Sequence, residues 1–234
     1  MKKVLLSGLF ALLTMAVFAQ NTTKASKGRP NIPGTFLIEV GFNQPFNEAD
    51  TFQVKFWGSR TLNLYYQHEI VIPAFGNKFS FNPGIGLGME RFTFDQVKTL
   101  AYDANGDLQL QNTYEGTKKS QLIANYLDLP LELRFSASPT NPSRSFKFTV
   151  GFRPGVRIDS FTKVKYREDS ETRKFKDKQS WNLSQVRYGI YSRINVGNFG
   201  LFGYYNLSTL FEEGKGIQGK DVNVLTFGIS IAGF

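Results

Sequence analysis

The feature that most constrains this chain is a period-two alternation of apolar and polar residues, which recurs throughout residues 35–234. Such alternation is typical of β-strands, because successive side chains of a strand point to opposite faces. The clearest run extends from Phe146 to Ile158, where large apolar side chains at even positions alternate with polar or small ones. Past residue 19, no apolar run approaches the roughly 20 residues that a membrane helix needs. Any membrane span must therefore be a strand.

Eight alternating runs can be distinguished, and their connections alternate in length. The runs cover approximately 35–43, 60–72, 78–94, 121–136, 145–160, 181–196, 199–211 and 221–234. The short connections are 73–77, 137–144 and 197–198, and the long or charged ones are 44–59, 95–120, 161–180 and 212–220. An even strand number with alternating short turns and long loops is typical of outer-membrane barrels. The sequence thus predicts an all-β fold: an up-and-down, eight-stranded antiparallel transmembrane β-barrel over 35–234, with short periplasmic turns and long extracellular loops.

The first 19 residues have the three parts of a secretory signal peptide. Lys2 and Lys3 precede an apolar stretch, and Val17-Phe18-Ala19 offers compact residues at the cleavage positions. Residues 20–34 are polar and contain Pro30 and Pro33, as expected of a periplasmic lead-in. We therefore expect export to the outer membrane of a Gram-negative bacterium, with both termini in the periplasm. The chain contains no cysteine, which excludes a disulfide framework, a thiolate metal site and a lipoprotein anchor.

Alternation alone does not decide which face of a barrel points outward, since a soluble ligand-binding barrel alternates as well. The interior of an eight-stranded barrel is just wide enough for side chains to fill. Large apolar side chains from every strand would not fit there, whereas the polar face carries space-saving glycines. These glycines are Gly84, Gly86, Gly88, Gly151, Gly155 and Gly189. We therefore predict that the apolar face contacts lipid.

This orientation places ten charged side chains in the lumen: Glu39, Glu69, Glu90, Asp128, Glu132, Arg134, Arg153, Arg157, Arg187 and Arg193. Five acids and five arginines balance one another, and buried charges require partners to offset their desolvation. Arginine suits this pairing because its planar guanidinium binds carboxylates in a bidentate manner. Either a structural ion-pair plug or a charged permeation path fits this pattern. In so narrow a barrel the plug is favoured.

Candidate chemistry is sparse. His68 is the sole histidine, on the lipid-facing side of the second run near the inner turn, so histidine-dependent catalysis and histidine-rich metal sites lack a second member. We predict no enzymatic activity, no metal and no cofactor.

The net charge falls from +9 to +7 when Lys2 and Lys3 leave with the signal peptide. For an exported protein, this positive net charge favours membrane lipid and lipopolysaccharide as anionic partners. Nucleic acid is not expected as a partner.

Aromatic residues predict the interfaces with the bilayer and an insertion signal. Aromatic girdles flank the apolar band of such barrels. The outer candidates are Phe92, Phe94, Trp181 and Phe211, and the inner ones are Phe79, Phe135, Phe146 and Phe199. The terminal Phe234 supplies the final aromatic residue that the barrel-insertion machinery reads. Its parity differs from that of Phe227 and Ile231, so either Gly233 introduces a bulge or the ring points inward.

Two segments resemble a known family. The stretch Asn125-Tyr126-Leu127-Asp128-Leu129-Pro130-Leu131-Glu132-Leu133 is similar to a characteristic strand of the PorT-like small outer-membrane barrels of Bacteroidetes. The upstream Phe81-Asn82-Pro83-Gly84-Ile85-Gly86-Leu87-Gly88 resembles the glycine-rich strand that precedes it in that group. The resemblance implies an outer-membrane barrel without known catalytic residues. It also makes a protein secretion complex a candidate partner, since one member of the group is associated with such a system.

The sequence therefore predicts a non-enzymatic outer-membrane barrel that anchors extracellular hairpins for adhesion, envelope maintenance or assembly with a partner complex. Two alternatives remain open: a small transport pore, and a soluble periplasmic barrel that binds a ligand.

Overall fold

The computed structural model describes residues 34–95, 97–141 and 144–233, and in them the protein is all-β. The strands in chain order are β1 (Thr35–Phe46), β2 (Arg60–Gln67), β3 (Ile70–Ile72), β4 (Phe79–Thr93), β5 (Lys98–Tyr102), β6 (Leu108–Asn112), β7 (Thr117–Asp128), β8 (Leu131–Ser136), β9 (Phe146–Glu168), β10 (Glu171–Asp177), β11 (Val186–Val196), β12 (Phe199–Asn206) and β13 (Asn223–Ala232). Short 3₁₀ turns occupy Phe56–Gly58, Ala74–Asn77 and Ile217–Gly219. None of these helical turns is long and apolar enough to cross a membrane.

Eight antiparallel barrel strands form a closed ring, as predicted. β1 pairs with β2 on one side and with β13 on the other, which closes the barrel. Two of the eight are interrupted: β2 continues as β3, and β7 continues as β8. The first interruption lies at 68–69, beside Pro83 of β4, and the second contains Pro130. Proline cannot donate to the ladder of hydrogen bonds, which accounts for both breaks.

The two ends of the barrel differ in their connections. At the end that we call the turn end, β3 joins β4, β8 joins β9 and β11 joins β12 through short segments. At the opposite end, the loop end, the connections are long and two of them fold into hairpins. One hairpin is formed by β5 and β6, and the other is formed by β10 with the last third of β9. β9 extends to Glu168, so this second hairpin stands beyond the barrel rim.

The apolar face of each barrel strand points outward and the polar face points into the lumen. Phe148, Phe152 and Leu129 are 40–49% exposed, whereas Arg153 and Arg187 are almost fully buried. Since the interior of an eight-stranded barrel holds only one layer of side chains, this arrangement is the one that the sequence predicts. The outward apolar band is the surface that hydrocarbon covers in a membrane.

A compact apolar cluster, which we call the cap, fills the lumen at the loop end. Its members are Ala49, Phe52, Phe92, Phe94, Leu100, Leu108, Leu122, Ala124, Tyr126, Trp181, Leu183, Leu210, Phe211, Ile217, Val222 and Val224. The prediction of an outer aromatic girdle at Phe92, Phe94, Trp181 and Phe211 is therefore wrong. Two of these residues lie on β4 or directly after it, at positions that face inward, and the other two belong to loops that fold over the lumen.

A β-bulge explains why the loop-end half of β9 faces differently from the sequence pattern. The register between β7 and β9 shifts by one residue at this point. Asn125 opposes Asp159, whereas the next residue of β7, Tyr126, opposes Arg157. A bulge of this kind moves the following side chains to the other face. As a result Val164, which simple alternation places on the lipid side, is buried inward.

Candidate functional site: a charged lumen beneath a folded cap

Eight of the ten charged side chains predicted to face the lumen are buried there. They are Glu39, Glu90, Asp128, Glu132, Arg134, Arg153, Arg187 and Arg193. We call the seven of these other than Arg134 the luminal charge cluster. They come from β1, β4, β7, β8, β9 and β11, so the cluster joins five of the eight barrel strands.

Glu39 on β1 is the acidic centre of the cluster. Its Oε2 lies 3.1 Å from Nη2 of Arg153 and accepts a hydrogen bond of 3.0 Å from the amide of Asn63. Its Oε1 accepts a hydrogen bond from the hydroxyl of Tyr191 and lies 3.6 Å from Nη1 of Arg193. Both oxygens are therefore satisfied, which offsets the cost of burying this carboxylate.

Arg187 on β11 bridges two acids. Its Nε and Nη2 donate to the two carboxylate oxygens of Asp128, at 3.1 and 2.6 Å, in the bidentate geometry that favours arginine. Its Nη1 donates to Glu90. The guanidinium thus ties β11 to β7 and β4 across the lumen. Removing one partner of such a buried pair typically costs ~3–5 kcal/mol, because the remaining charge stays buried.

A second pair lies closer to the turn end. Arg193 donates to Glu132 at 2.8 Å. Below it, Arg134 donates to the amide oxygen of Gln67 at 3.3 Å and lies 3.7 Å from Glu69. A cavity of about 430 Å³ opens at the turn end, and both Arg134 and Arg193 line it.

Four tyrosines complete the lumen, although the sequence-based prediction of the site named only charged residues. Arg153 lies over the rings of Tyr65, Tyr191 and Tyr204, at 4.7, 4.2 and 4.8 Å from their centroids. Arg187 lies 3.9 Å from the ring centroid of Tyr126. Desolvated cation–π contacts of this kind contribute ~2 kcal/mol each.

The tyrosine hydroxyls also bind the charged network. The hydroxyl of Tyr65 donates to Asp128 at 2.7 Å, and that of Tyr204 donates to the carbonyl of Arg153 at 3.0 Å. The signal that could have identified these tyrosines is parity, since each stands at an inward-facing position of its strand. Large polar rings fill the volume that ion pairs alone would leave open.

The inward glycines make the room that these side chains need. A Cβ on Gly88 would clash with Nη2 of Arg187 and with Oδ2 of Asp128. A Cβ on Gly155 would clash with Oδ1 of the same aspartate. Gly88 and Gly155, which the sequence analysis predicts to save space, therefore make room for the Arg187–Asp128 ion pair.

The remaining predicted site residues lie elsewhere. Glu69 occupies the interruption between β2 and β3 and is exposed at the turn end, where its carboxylate accepts a hydrogen bond of 3.0 Å from Ser80 and lies 3.7 Å from Arg134. Arg157 is half-buried beside the bulge and donates to Ser160, Ser180 and Gln185 rather than to a carboxylate. Phe234, the predicted insertion signal, lies outside the described residues.

The structure places His68 in the same interruption as Glu69, exposed, with its backbone N–H bonded to Pro83. No group of three or more His, Cys, Asp and Glu residues that could hold a metal occurs in the part of the chain that the structure describes.

The loop end carries a cleft between the two hairpins. Its volume is about 570 Å³, and the strands β5, β6, β9 and β10 line it, with Trp181. The ring of Tyr114 stacks on Tyr166 at 4.5 Å and contacts Phe175 at 5.9 Å. Phe175 is 45% exposed, and among the described strands β10 pairs only with β9. An exposed strand edge beside aromatic rings is suited to contact another protein.

Comparison with known protein families agrees with this architecture. A family model described as "Outer membrane protein beta-barrel domain" matches residues 18–212. Among solved structures, Ail, the attachment invasion locus protein of Yersinia pestis, is 13% identical, with a TM-score of 0.34, covering 86% of this chain and 99% of its own. A mutant porin of Rh. blastica is 10% identical, with a TM-score of 0.19, covering 85% and 98%. No curated protein matches the chain. Since the family model spans most of the residues, the chain belongs to the outer membrane protein beta-barrel domain family.

Proposed function

We propose that this outer-membrane protein is a non-enzymatic anchor whose loop-end hairpins project from the cell and contact a partner. The contact serves adhesion, envelope maintenance or assembly with a partner complex, such as the one expected of a PorT-like secretion accessory. Both chain termini then lie in the periplasm, because β1 begins and β13 ends at the turn end. The observation that carries the proposal is the contrast between a lumen filled by buried side chains and a loop end built into two folded hairpins.

The pore alternative requires a water path along the lumen. Instead, Arg153, Arg193 and Tyr191 are each about 1% exposed at mid-barrel, and the cap covers them at the loop end. Such a lumen supports a plug, in which charges are paired for stability rather than arranged for passage. The soluble periplasmic barrel is excluded by the outward apolar band and by the family.

Orientation is the first part of the proposal to test. Because the chain has no cysteine, single-cysteine variants report cleanly. We expect Ser170→Cys, at the tip of the second hairpin, to react with a membrane-impermeant maleimide on intact cells, and Asn198→Cys at a short turn to react only after lysis. The reverse pattern would overturn the orientation.

Partner contact is the second part. A photo-crosslinking amino acid at Phe175, in intact cells, should give a discrete adduct with one protein. Replacing Tyr114 and Phe175 by Ser should abolish co-purification of that protein. The matched control replaces Glu212 and Lys215, an exposed ion pair at the same end but outside the cleft. If the control and the cleft variant lose the partner equally, or neither loses it, the hairpin cleft is not the contact surface.

A further inference from the structure

Cations occur on the outward face of four neighbouring barrel strands, toward the loop end. They are Arg60 on β2, Arg91 on β4, Lys119 on β7, and Lys163 and Lys165 on β9, which we call the cationic strip. Arg60 and Arg91 each lie two residues beyond an outward apolar side chain, Leu62 and Met89 respectively. Two residues of strand correspond to ~7 Å. The strip therefore begins where the hydrocarbon-facing surface ends.

The strip brings like charges directly opposite one another. Arg60 pairs in register with Arg91, and Lys119 pairs with Lys165. On the other side of β9, Lys165 and Lys163 oppose Lys174 and Lys176 of β10. Directly opposed like charges destabilise a sheet unless counter-charge is supplied. The arrangement thus costs stability in the isolated protein.

The described residues supply little of that counter-charge. The ion pairs at this end involve other cations: Lys178 with Asp159, Arg173 with Glu168, Lys55 with Asp95, and Lys215 with Glu212. Burial, together with Arg60 and Arg91, lowers the pKa of Lys119 from its usual value. Burial, together with Lys174 and Lys176, likewise lowers the pKa of Lys163. The second cause of both shifts is positive charge on neighbouring strands.

The neighbouring aromatic residues fix the depth of the strip. Trp57 is 72% exposed, packs against Phe42 at 5.4 Å, and accepts a hydrogen bond of 2.9 Å on its carbonyl from Arg60. Exposed tryptophan beside an apolar band is typical of the headgroup level of a bilayer. On the opposite side of the barrel, the outward residues near the loop end of β11, β12 and β13 are neutral, among them Tyr188, Tyr205 and Leu225.

We propose that the cationic strip binds the phosphate groups of lipid A, the membrane anchor of lipopolysaccharide in the outer leaflet. Only the assignment of the strip to the outer leaflet rests on the proposed orientation. The phosphates lie at headgroup depth, carry the missing negative charge, and reach the strip from a lipid whose chains cover the apolar band beneath it. Lysine and arginine near an anionic membrane surface each strengthen binding about fivefold.

The test uses the full mature protein in detergent, titrated with diphosphoryl lipid A and followed by native mass spectrometry. The strip variant replaces Lys119, Lys163 and Lys165 by Ala, and the control variant replaces Lys55, Lys215 and Lys220, which changes net charge equally. We expect the strip variant to bind roughly 100-fold more weakly than wild type. The control should bind within about threefold of wild type. Equal binding by strip and control variants would overturn the proposal.

Two further arms identify the ligand and protect against a folding artefact. Dephosphorylated lipid A and phosphatidylglycerol should each bind far more weakly than diphosphoryl lipid A. If either binds equally, the strip does not recognise lipid A phosphates.

Heat-modifiable electrophoretic mobility verifies the fold of each variant. Replacing Arg60 and Arg91 by Gln, on different strands, should weaken binding in the same direction, and unchanged affinity there would also contradict the proposal. Because binding is measured in detergent, a wrong membrane orientation leaves this result unaffected.

Discussion

Arginine occupies two contrasting regions of this barrel. In the lumen, Arg153, Arg187 and Arg193 are buried, paired with carboxylates and stacked on tyrosine rings. On the outer face, Arg60 and Arg91 are exposed and oppose each other. The same side chain thus serves internal stability in one place and leaves charge for an external ligand in the other. The difference follows from which face of the strand carries it, since only the lumen excludes water and supplies partners.

The largest expected effect is a loss of stability when a luminal arginine, but not an outward-facing one, is replaced. Replacing Arg187 by Ala leaves Asp128 and Glu90 buried without their cation, and should lower the free energy of unfolding by ~3–5 kcal/mol. Replacing Arg91 by Ala should change it by less than ~0.5 kcal/mol, because that side chain is exposed. Urea titration in lipid vesicles, followed by the fluorescence of Trp57 and Trp181, measures both. Similar losses of unfolding free energy in the two variants would contradict the difference between luminal and outward-facing arginines.

A hydrogen bond to the cluster gives the next effect. Replacing Tyr65 by Phe removes the hydroxyl that donates to Asp128 and should cost ~1.5–3 kcal/mol. The matched substitution at Tyr205, on the lipid-facing side of β12, should be nearly neutral. The same titration distinguishes them, and a neutral Tyr65 variant would show that the tyrosines only fill space.

The space reserved by glycine can be tested separately from charge. Replacing Gly88 by Ala places a methyl group against Arg187 and Asp128, and overpacking of this kind costs ~1–3 kcal/mol. Gly203 is the control, because a Cβ there meets nothing within 4 Å. We expect the Gly88 variant to unfold at lower urea and the Gly203 variant to match wild type. Equal midpoints would mean that the ion pair shifts without cost.

The smallest expected effect lies at the cationic strip. Relieving one opposed pair, by replacing Lys165 with Gln, should raise the free energy of unfolding in detergent by ~0.2–1 kcal/mol. Adding salt to the wild-type protein should produce part of the same gain, because ions screen exposed charges. A variant that is less stable than wild type would indicate that Lys165 already has a partner within the protein.

Much of the fold was predictable because period-two alternation is a direct consequence of strand geometry. Strand number, facing and the luminal position of eight charged residues all follow from parity and volume. Parity also places Phe92 on the inward face of β4, although its aromatic ring alone suggests an interface with the bilayer. Aromatic composition is therefore a weaker guide than register.

The features that the sequence does not predict depend on interactions between segments that are distant in the chain. The bulge near Arg157 reverses the facing of the residues after it, and the pattern of a single strand does not show where β7 and β9 fall out of step. The cap likewise forms only because several loops converge over one lumen, bringing Phe52 against Phe211. Which carboxylate each arginine binds is set by the shear of the closed barrel, and local pattern does not encode it.

We propose that the lumen of this barrel is a stabilising plug and not a path for solutes. The most direct test is the conductance of the purified protein in planar lipid bilayers, compared with a variant in which Arg153, Arg187 and Arg193 are replaced by Ser. We expect the wild-type protein to show no stable conductance steps under an applied potential. Reproducible, stepwise, ion-selective openings of the wild-type protein would contradict the plug.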